Sequence, residues 1–380
     1  MNNTIESSPL SGIRVLDLSR VLAGPLCAMM LADMGADVLK VERPDGGDDT
    51  RGWGPPFGQD GESAYFRSIN RNKLGLTANL DVPADLELLR QLVSHADVVV
   101  ENYLPGTLTR KGLDARALLS EHQRLIWCTI SGFGEESARP GYDLVVQAES
   151  GWMSITGPEA GPPSKVGVAL VDVIAGKDAA AAILAALVGR ARLSAAQRYV
   201  HISLFASATA ALVNVAQNTL VSGSPPVRWG NAHPNLVPYQ LFDAADRPFV
   251  LAVGNDAQWA HCAKVLGLDA EEIWRSNAGR VTDRGRLVLQ LVRILRTHTA
   301  AEWIEQFSLA GVPCGLVQSV PEALAHSSAN ALTGVAPATG GAVRRPSPRL
   351  GEHDHTVRAN GWHAFGVIAL PDLGTSPVTR

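Results

Sequence analysis

The sequence of 380 residues lacks the features that mark several large classes of protein. Its four cysteines lie far apart, with no C-x-x-C pair and no zinc spacing, so we interpret them as reduced thiols rather than as disulfides or metal ligands. The formal net charge of −4 gives no basic surface for nucleic acid. There is no apolar run of 18 residues and no signal-like start, so we expect a cytoplasmic protein that does not enter a membrane.

Common cofactor and catalytic motifs are also absent. The first candidate strand is followed by Leu22-Ala-Gly-Pro25 rather than by G-x-G-x-x-G, which argues against a nicotinamide or flavin site. Gly176-Lys177 lacks the upstream glycine of a Walker motif, and neither G-x-S-x-G nor H-E-x-x-H occurs. These absences argue against the usual serine hydrolases and zinc peptidases, and we expect no metal and no permanently bound cofactor.

The first 200 residues alternate short β-branched runs with helical stretches, in a chain that is 46% hydrophobic and 18% charged. This alternation predicts a large, doubly wound, Rossmann-like α/β domain with a mostly parallel sheet. Such sheets bind ligands at the carboxyl ends of their strands. The predicted strands are 13–18, 37–42, 97–100 and 125–130, and the predicted helices are 25–34 and 84–94.

A second, smaller unit is predicted after the linker-like Ser222-Gly-Ser-Pro-Pro226. It has strand patterns near 239–242 and 249–253, followed by helical patterns near 256–266, 285–296 and 300–309, which indicates an α+β domain. The tail has little periodicity. We therefore divide the chain into a large domain (1–222), a small domain (223–330) and a C-terminal segment that returns to the large domain (331–380).

Asp172 is the one carboxylate in the otherwise apolar run from Val166 to Gly176. Removing an ionised carboxylate from water is costly unless the group is paired or used. Two interpretations stay open at this point. Asp172 is either the N-cap of the following helix, a position that favours Asp, or a reactive carboxylate at the edge of the sheet.

An ordered set of short strings resembles the class III CoA-transferase family, also called CaiB/BaiF. The match extends over roughly residues 9–353, and the ordered set is far more specific than any one string. The strings are LSGIRVLDL (10–18), VLAGP (21–25), GADVLKVERP (35–44), NRNK (70–73), VENYLPG (100–106), PGYD (140–143), QAESG (147–151), TGP (156–158), VD (171–172), GVPCG (311–315) and LGEH (350–353).

The resemblance implies CoA or acyl-CoA as a substrate, an interlocked homodimer, and Asp172 as the catalytic nucleophile. A free aspartate is an anion at pH 7, so it can attack a thioester and form aspartyl anhydride and aspartyl-CoA thioester intermediates. By the same resemblance, the residues expected to contact CoA are Val21, Leu22, Ala23, Arg43, Asn72, Lys73, Asn102 and Tyr103. Arg43 and Lys73 suit phosphates, and Tyr103 suits adenine.

One position separates the two activities of the family. Racemases carry His at the middle of the string that matches Gly141-Tyr142-Asp143, where it serves as a second acid/base group. Tyr, with a pKa near 10, is a poor proton-exchange partner at neutral pH. We therefore expect a transferase rather than a 2-methylacyl-CoA racemase, with Tyr142 and Asp143 near the substrate. A non-catalytic acyl-CoA-binding protein remains the alternative from another class.

The string from Arg228 to Gln240 resembles the corresponding region of CoA-transferases that use succinyl-CoA and dicarboxylates. Arg228 or His233 could meet the distal carboxylate of the acceptor. A plain interdomain linker is the competing interpretation of these residues. The tail departs from the family pattern, because Gly361-Trp-His-Ala-Phe replaces the helix that usually follows Gly351-Glu-His353.

Overall fold

The computed structural model describes residues 8–268, 271–326 and 335–371, which form two compact units. The larger unit comprises the described residues of Met1–Trp152, Val166–Gly223 and Ser327–Arg380. The smaller unit comprises Met153–Lys165 and those described within Ser224–His326. The segment Met153–Lys165 therefore belongs with the smaller unit, although it lies between two parts of the larger one in sequence.

Six parallel strands form the sheet of the larger unit. They are β1 (Arg14–Asp17), β2 (Asp37–Glu42), β3 (Lys73–Thr77), β4 (Val98–Glu101), β5 (Ile126–Ser131) and β6 (Tyr199–Ser203). Their spatial order is β3-β2-β1-β4-β5-β6, so the chain builds outward from β1 in one direction and then from β4 in the other. This confirms the doubly wound α/β prediction, and it places a switch point, where such sheets bind ligands, between β1 and β4.

Helices flank this sheet and connect its strands. They are α1 (Ala23–Asp33), α2 (Ala64–Ser68), α3 (Pro83–Ser94), α4 (Thr107–Arg110), α5 (Ala115–Glu121), α6 (Asp143–Glu149), α8 (Leu170–Gly189), α9 (Leu204–Ala210) and α10 (Val213–Ser222), whereas three of the four residues of α7 (Trp152–Ile155) belong to the smaller unit. Within the described part of the chain no single helix is long and apolar enough to cross a bilayer, although the bent pair α9 and α10 satisfies that criterion together.

Alternate residues of the strands bury opposite faces of the sheet. Val15 and Val38 pack with residues of α1 and α8 on one face, whereas Leu16 and Leu39 pack with residues of α3 and α5 on the other. A β-strand sends successive side chains to opposite sides. Continuous apolar runs such as Val98-Val-Val100 are therefore explained by a sheet that is covered on both faces.

Helices α1 and α8 lie in close contact at one glycine. A Cβ atom added to Gly176 would lie 2.6 Å from the carbonyl oxygen of Ala23, a separation that real Cβ atoms essentially never show. Glycine at this position lets α8 reach the backbone that follows β1. The first turn of α8, which contains Asp172, is thereby brought to the switch point.

The smaller unit has an antiparallel sheet with strand order β7-β8-β9 and its own apolar core. Its strands are β7 (Tyr239–Asp243), β8 (Pro248–Ala252) and β9 (Cys314–Leu316). Its helices are α11 (Asp256–Val265), α12 (Asn277–Thr282), α13 (Arg284–Leu295), α14 (Ala300–Leu309) and α15 (Val320–His326).

The C-terminal segment packs on the larger unit and contains α16 (Asp354–Asn360) and α17 (Ala364–Val367). Trp362 is buried, and its indole N–H donates to the carbonyl of Leu92 at 2.9 Å. The Asp354 carboxylate accepts from the backbone N–H of Thr77 at 2.7 Å. The expectation that no helix follows Gly351-Glu-His353 was wrong, because α16 is anchored on the edge strand β3 by contacts that the periodicity of the tail does not reveal.

Candidate active site

Asp172 lines a cleft of about 240 Å³ at the switch point. We call it the Asp172 cleft. Besides Asp172, its lining includes the expected residues Val21, Leu22, Ala23, Asn102, Tyr103 and Tyr142. Residues that follow β1 and β4 therefore meet the first turn of α8, although Arg20 and Asp172 are 152 positions apart in sequence. Arg20 and Arg139 also line the cleft, although no sequence pattern indicated them.

The loop after β1 is held in an unusual conformation. Val21 has φ 69°, in the left-handed region that a β-branched residue rarely adopts. The backbone N–H of Val21 donates to both carboxylate oxygens of Asp48, at 3.2 and 3.3 Å. Asn102 clamps the preceding residue, because its side chain accepts from the N–H of Arg20 and donates to its carbonyl, at 2.8 and 2.7 Å. Asn102 thus shapes the cleft wall through the backbone of Arg20.

Beneath this loop lie two fully buried ion pairs, Lys73–Asp17 at 2.8 Å and Lys40–Asp48 at 3.2 Å. Lys40 also donates to the carbonyl of Ser19 at 3.0 Å. Burial alone would raise the pKa of Asp17, but the charges of Lys73 and Lys40 hold it below its ordinary value. The buried carboxylates are therefore kept ionised where they fix the loop.

Lys73 has no exposed charge to offer to a phosphate. Its ammonium group donates to Asp17, to the carbonyl of Pro25 at 2.9 Å and to the side chain of Asn70 at 2.8 Å. Asn72 is likewise buried. Its amide oxygen accepts from the backbone N–H groups of Arg344 and Arg345, and its amide nitrogen donates to Asp33 and Ala342. In this structure both residues hold the fold together and neither lines the Asp172 cleft, so their direct contact with CoA stays a prediction.

The first turn of α8 is capped by Asp143 rather than by Asp172. Asp143 Oδ1 accepts from the N–H of Val171 at 2.8 Å and of Asp172 at 3.4 Å. Its Oδ2 accepts from the side-chain amide nitrogen of Gln147, and Gln147 Oε1 accepts from the N–H of Val166. Asp172 lies inside the helix, whose N-cap is Ala169. No hydrogen bond or ion pair of the Asp172 carboxylate occurs among the residues that the structure describes, so the N-cap interpretation of Asp172 is wrong.

Asp143 also changes the electrostatics of Asp172. Burial first, and then the nearby Asp143 charge, raise the pKa of Asp172 from 3.8 to about 7. Asp172 is therefore partly protonated near neutral pH, not fully ionised as an unperturbed aspartate would be. A shift of this kind in a cleft is typical of a group that reacts.

Tyr65 is a third residue that no sequence pattern indicated. Burial first, and then the Asp172 and Asp143 carboxylates, raise its pKa to about 12, so its hydroxyl keeps its proton and remains a hydrogen-bond donor. Its ring packs edge-on against Trp53, with the ring centroids 5.2 Å apart. Tyr142, by contrast, is 58% exposed and precedes α6 at the rim of the cleft.

A second cavity, the Arg43 pocket, shares Arg20 and Tyr103 with the Asp172 cleft. Arg43 is exposed and pairs with Asp49 at 2.5 Å. The Arg20 guanidinium lies over the Tyr103 ring, 5.3 Å from its centroid. The rest of the pocket includes the 78–80 segment that follows β3. The two cavities together offer a carboxylate at one end and two arginines with an aromatic ring at the other.

Arg228 and His233 belong to the smaller unit. The Arg228 guanidinium donates to the carbonyls of Gly161 at 2.7 Å, Pro158 at 3.1 Å and Ser154 at 3.4 Å, so it holds the 154–161 segment. Burial first, and then the charge of Arg284, lower the pKa of His233, so its ring is neutral at pH 7. Among the described residues no group of three or more His, Cys, Asp or Glu could hold a metal ion.

Comparison with known proteins finds relatives that all point to one family. The model of CoA-transferase family III matches residues 10–356. Succinate–glutarate CoA-transferase of Agrobacterium fabrum is 41% identical over 92% of this chain and 95% of its own length. Human succinyl-CoA:glutarate CoA-transferase is 38% identical over 93% of this chain and 85% of its own length. The crystal structure of a CaiB/BaiF family protein from Brucella suis has a TM-score of 0.78 at 36% identity, with coverage of 93% of this chain and 99% of that one.

Proposed function

The chain belongs to CoA-transferase family III, and we propose that it moves CoA from succinyl-CoA to a small dicarboxylate through covalent intermediates on Asp172. The observation that carries this proposal is a carboxylate without hydrogen-bond partners among the described residues, in a cleft at the switch point of the sheet. The names of the relatives supply the substrate class, since they describe transfer between succinate and glutarate.

The reaction proceeds by four acyl transfers, in which each bond that breaks is matched by one that forms. The Asp172 carboxylate attacks the thioester carbonyl of succinyl-CoA, giving an aspartyl succinyl anhydride and the CoA thiolate. The thiolate then attacks the aspartyl carbonyl, which releases succinate and leaves an aspartyl-CoA thioester. The acceptor carboxylate displaces CoA to form a second anhydride, and the thiolate attacks its acyl carbonyl, which releases the new acyl-CoA and restores Asp172.

The two cavities suit the two ends of CoA. We place the thioester in the Asp172 cleft and the nucleotide end in the Arg43 pocket, since guanidinium groups pair well with phosphate oxygens. Tyr103 is available to stack on a base at the boundary between them. The protonated hydroxyl of Tyr65 lies within the electrostatic influence of Asp172, and hydrogen-bond donors of this type stabilise oxyanions during acyl transfer.

The pH dependence should report the protonation of Asp172. Only the anion attacks the thioester, so kcat/KM for succinyl-CoA should rise about tenfold per pH unit below pH 7 and level off above about pH 8. The inflection lies near 7 because burial and Asp143 raise the pKa of Asp172. Asp143→Asn keeps an acceptor for the N–H of Val171 but removes the negative charge, so it should shift the inflection to lower pH. An inflection that stays at the same pH in Asp143→Asn would contradict this electrostatic role.

For the acceptor, we propose that Arg228 or His233 recognises the distal carboxylate. Because the pKa of His233 is lowered, His233 would donate a hydrogen bond without a charge. Arg228 keeps its charge while it holds the carbonyls of the 154–161 segment. Of the two, Arg228 is therefore the stronger source of electrostatic selectivity.

A panel of free acids tests the acceptor. With succinyl-CoA as donor, glutarate should exceed pentanoate in kcat/KM by roughly ten- to a hundredfold, the value of one charge-assisted hydrogen bond. Arg228→Met should erase this preference and leave pentanoate turnover largely unchanged, whereas His233→Ala should have the smaller effect. Arg275→Met is the control, since Arg275 is an exposed arginine of the smaller unit that pairs with Glu272. If Arg228→Met lowers kcat/KM equally with glutarate and pentanoate, Arg228 does not recognise the distal carboxylate and only holds the 154–161 segment.

The interlocked homodimer and the cytoplasmic location stay predictions from the sequence. Sedimentation of the purified chain tests the first, because a dimer that is threaded through itself should not dissociate on dilution.

A further inference from the structure

Two arginines and one carboxylate meet where the Asp172 cleft joins the Arg43 pocket. Arg43 contacts one oxygen of Asp49 at 2.5 Å, and Arg20 approaches the other oxygen at 3.7 Å. Arg20 lines both cavities, Asp49 lines the cleft and Arg43 lines the pocket. The Asp49 carboxylate therefore occupies the space between two guanidinium groups at the junction of the two cavities.

Arg20 is fixed in position but not fully satisfied. Asn102 clamps its backbone, and Tyr103 lies beneath its guanidinium. Its Nε is buried and has no hydrogen-bond partner among the described residues. A buried N–H without an acceptor is unfavourable, and a phosphate group offers more acceptor oxygens than the one carboxylate now present. Arg20 is thus better matched to a phosphate than to Asp49.

The neighbouring carboxylates Asp48 and Asp49 have opposite environments. Asp48 is completely buried against Lys40 and holds the N–H of Val21. The side chains of Asp49, Arg20 and Arg43 are 38%, 40% and 52% exposed, so their ion pairs are open to water. Exposed pairs of this kind are weak and exchange readily, whereas breaking a buried pair is costly. Only the outer pairs can be exchanged for a ligand without disturbing the loop.

We propose that Asp49 is a resident counter-ion that occupies the phosphate position between Arg20 and Arg43 in the free enzyme and is displaced by a phosphate group of CoA. This inference rests on the proposed function, because it assumes that CoA is the ligand of the two cavities. Asp49 then weakens CoA binding in two ways. It must be moved away from the arginines, and its negative charge remains close to the arriving phosphate. Such a residue limits affinity and so favours release of the CoA ester after each transfer.

The test measures CoA binding by calorimetry at low ionic strength. Asp49→Asn removes the competing charge, so it should tighten CoA binding by about two- to fivefold, a magnitude typical of exposed charge pairs. Asp45→Asn is the matched control, because Asp45 is an exposed carboxylate on the same loop and forms no ion pair among the described residues. Arg20→Gln should weaken CoA binding, and the gain from Asp49→Asn should shrink in that background.

A second ligand, 3′-dephospho-CoA, identifies the phosphate. A gain from Asp49→Asn that is present with CoA and absent with 3′-dephospho-CoA assigns the arginine pair to the 3′-phosphate, and a gain with both assigns it to the pyrophosphate. Unchanged or weaker binding by Asp49→Asn, or an equal gain from Asp45→Asn, overturns the inference while the proposed function stands if the wild-type protein binds CoA and transfers it. Failure of the wild-type protein to bind CoA overturns both.

Discussion

Asp172→Asn is expected to lower turnover of succinyl-CoA with glutarate by on the order of 10⁴-fold or more, while CoA binding changes by only a few fold. An amide cannot form the anhydride or the thioester, but it keeps the size of the carboxylate. Steady-state assays with calorimetry of CoA binding separate the two effects, and Asp172→Ala should behave in the same way. During turnover of the wild-type protein, hydroxylamine should trap a hydroxamate at Asp172, detectable by peptide mass spectrometry.

Two controls guard against a folding defect. Asp178→Asn changes another carboxylate of α8 and keeps an acceptor for the hydroxyl of Ser207, so it should retain most of the activity.

Stability gives the second control. Because the folded-state pKa of Asp172 is raised from 3.8 to about 7, the folded state binds the proton more tightly, and stability is lost as pH rises through that window. At pH 8 the Asn variant should therefore be at least as stable as the wild type. Retention of more than about a tenth of the wild-type turnover would exclude Asp172 as the nucleophile.

Lys73→Met is expected to lower the free energy of unfolding by about 3–5 kcal/mol, because it leaves Asp17 buried without its partner. Urea unfolding measures this loss. The double variant Asp17→Asn/Lys73→Met should recover part of it, since removing both charges is less costly than removing one. Lys177→Met, at an exposed lysine of α8, should change stability by less than about 0.5 kcal/mol.

The same variant distinguishes the two roles considered for Lys73. If Lys73 binds a phosphate of CoA, Lys73→Met should raise the KM for succinyl-CoA and leave stability unchanged. If Lys73 is the buried partner of Asp17, Lys73→Met should lower stability, and any change in KM should follow from distortion of the loop at Val21. If Lys73→Met unfolds like the wild type and only its KM for succinyl-CoA rises, Lys73 contacts CoA directly.

Much of the fold could be predicted because short β-branched runs alternate with helical stretches in the first part of the chain. Val98-Val-Val100, beside the switch point, is the clearest of these runs, since a strand covered on both faces explains it well. Three strands were missed. β3 begins with a lysine and contains a glycine, β6 (Tyr199–Ser203) has a histidine between its apolar residues, and β9 has only three residues, Cys314–Leu316. Their pairing depends on neighbours far away in sequence, which local propensity does not contain.

The candidate site was predictable in part for a similar reason. Strings that resemble the family placed Val21, Asn102, Tyr103 and Asp172 in one region, and the structure brings them into one cleft. A string does not reveal whether a cation points outward or pairs with a buried carboxylate, so the environment of Lys73 was missed. The raised pKa of Asp172 was also missed, because it depends on Asp143, which lies 29 positions earlier.

The close approach of Gly176 to Ala23 has a consequence for protein engineering. Replacing a helical glycine with alanine normally stabilises a protein by about 0.5–1 kcal/mol, so a search for heat-resistant variants would choose this position early. Here the added methyl group would press on the Ala23 carbonyl and push the first turn of α8 away from the loop that carries Val21 and Leu22. Gly176→Ala would therefore lower stability as well as catalysis, and the position is best held constant when such a library is designed.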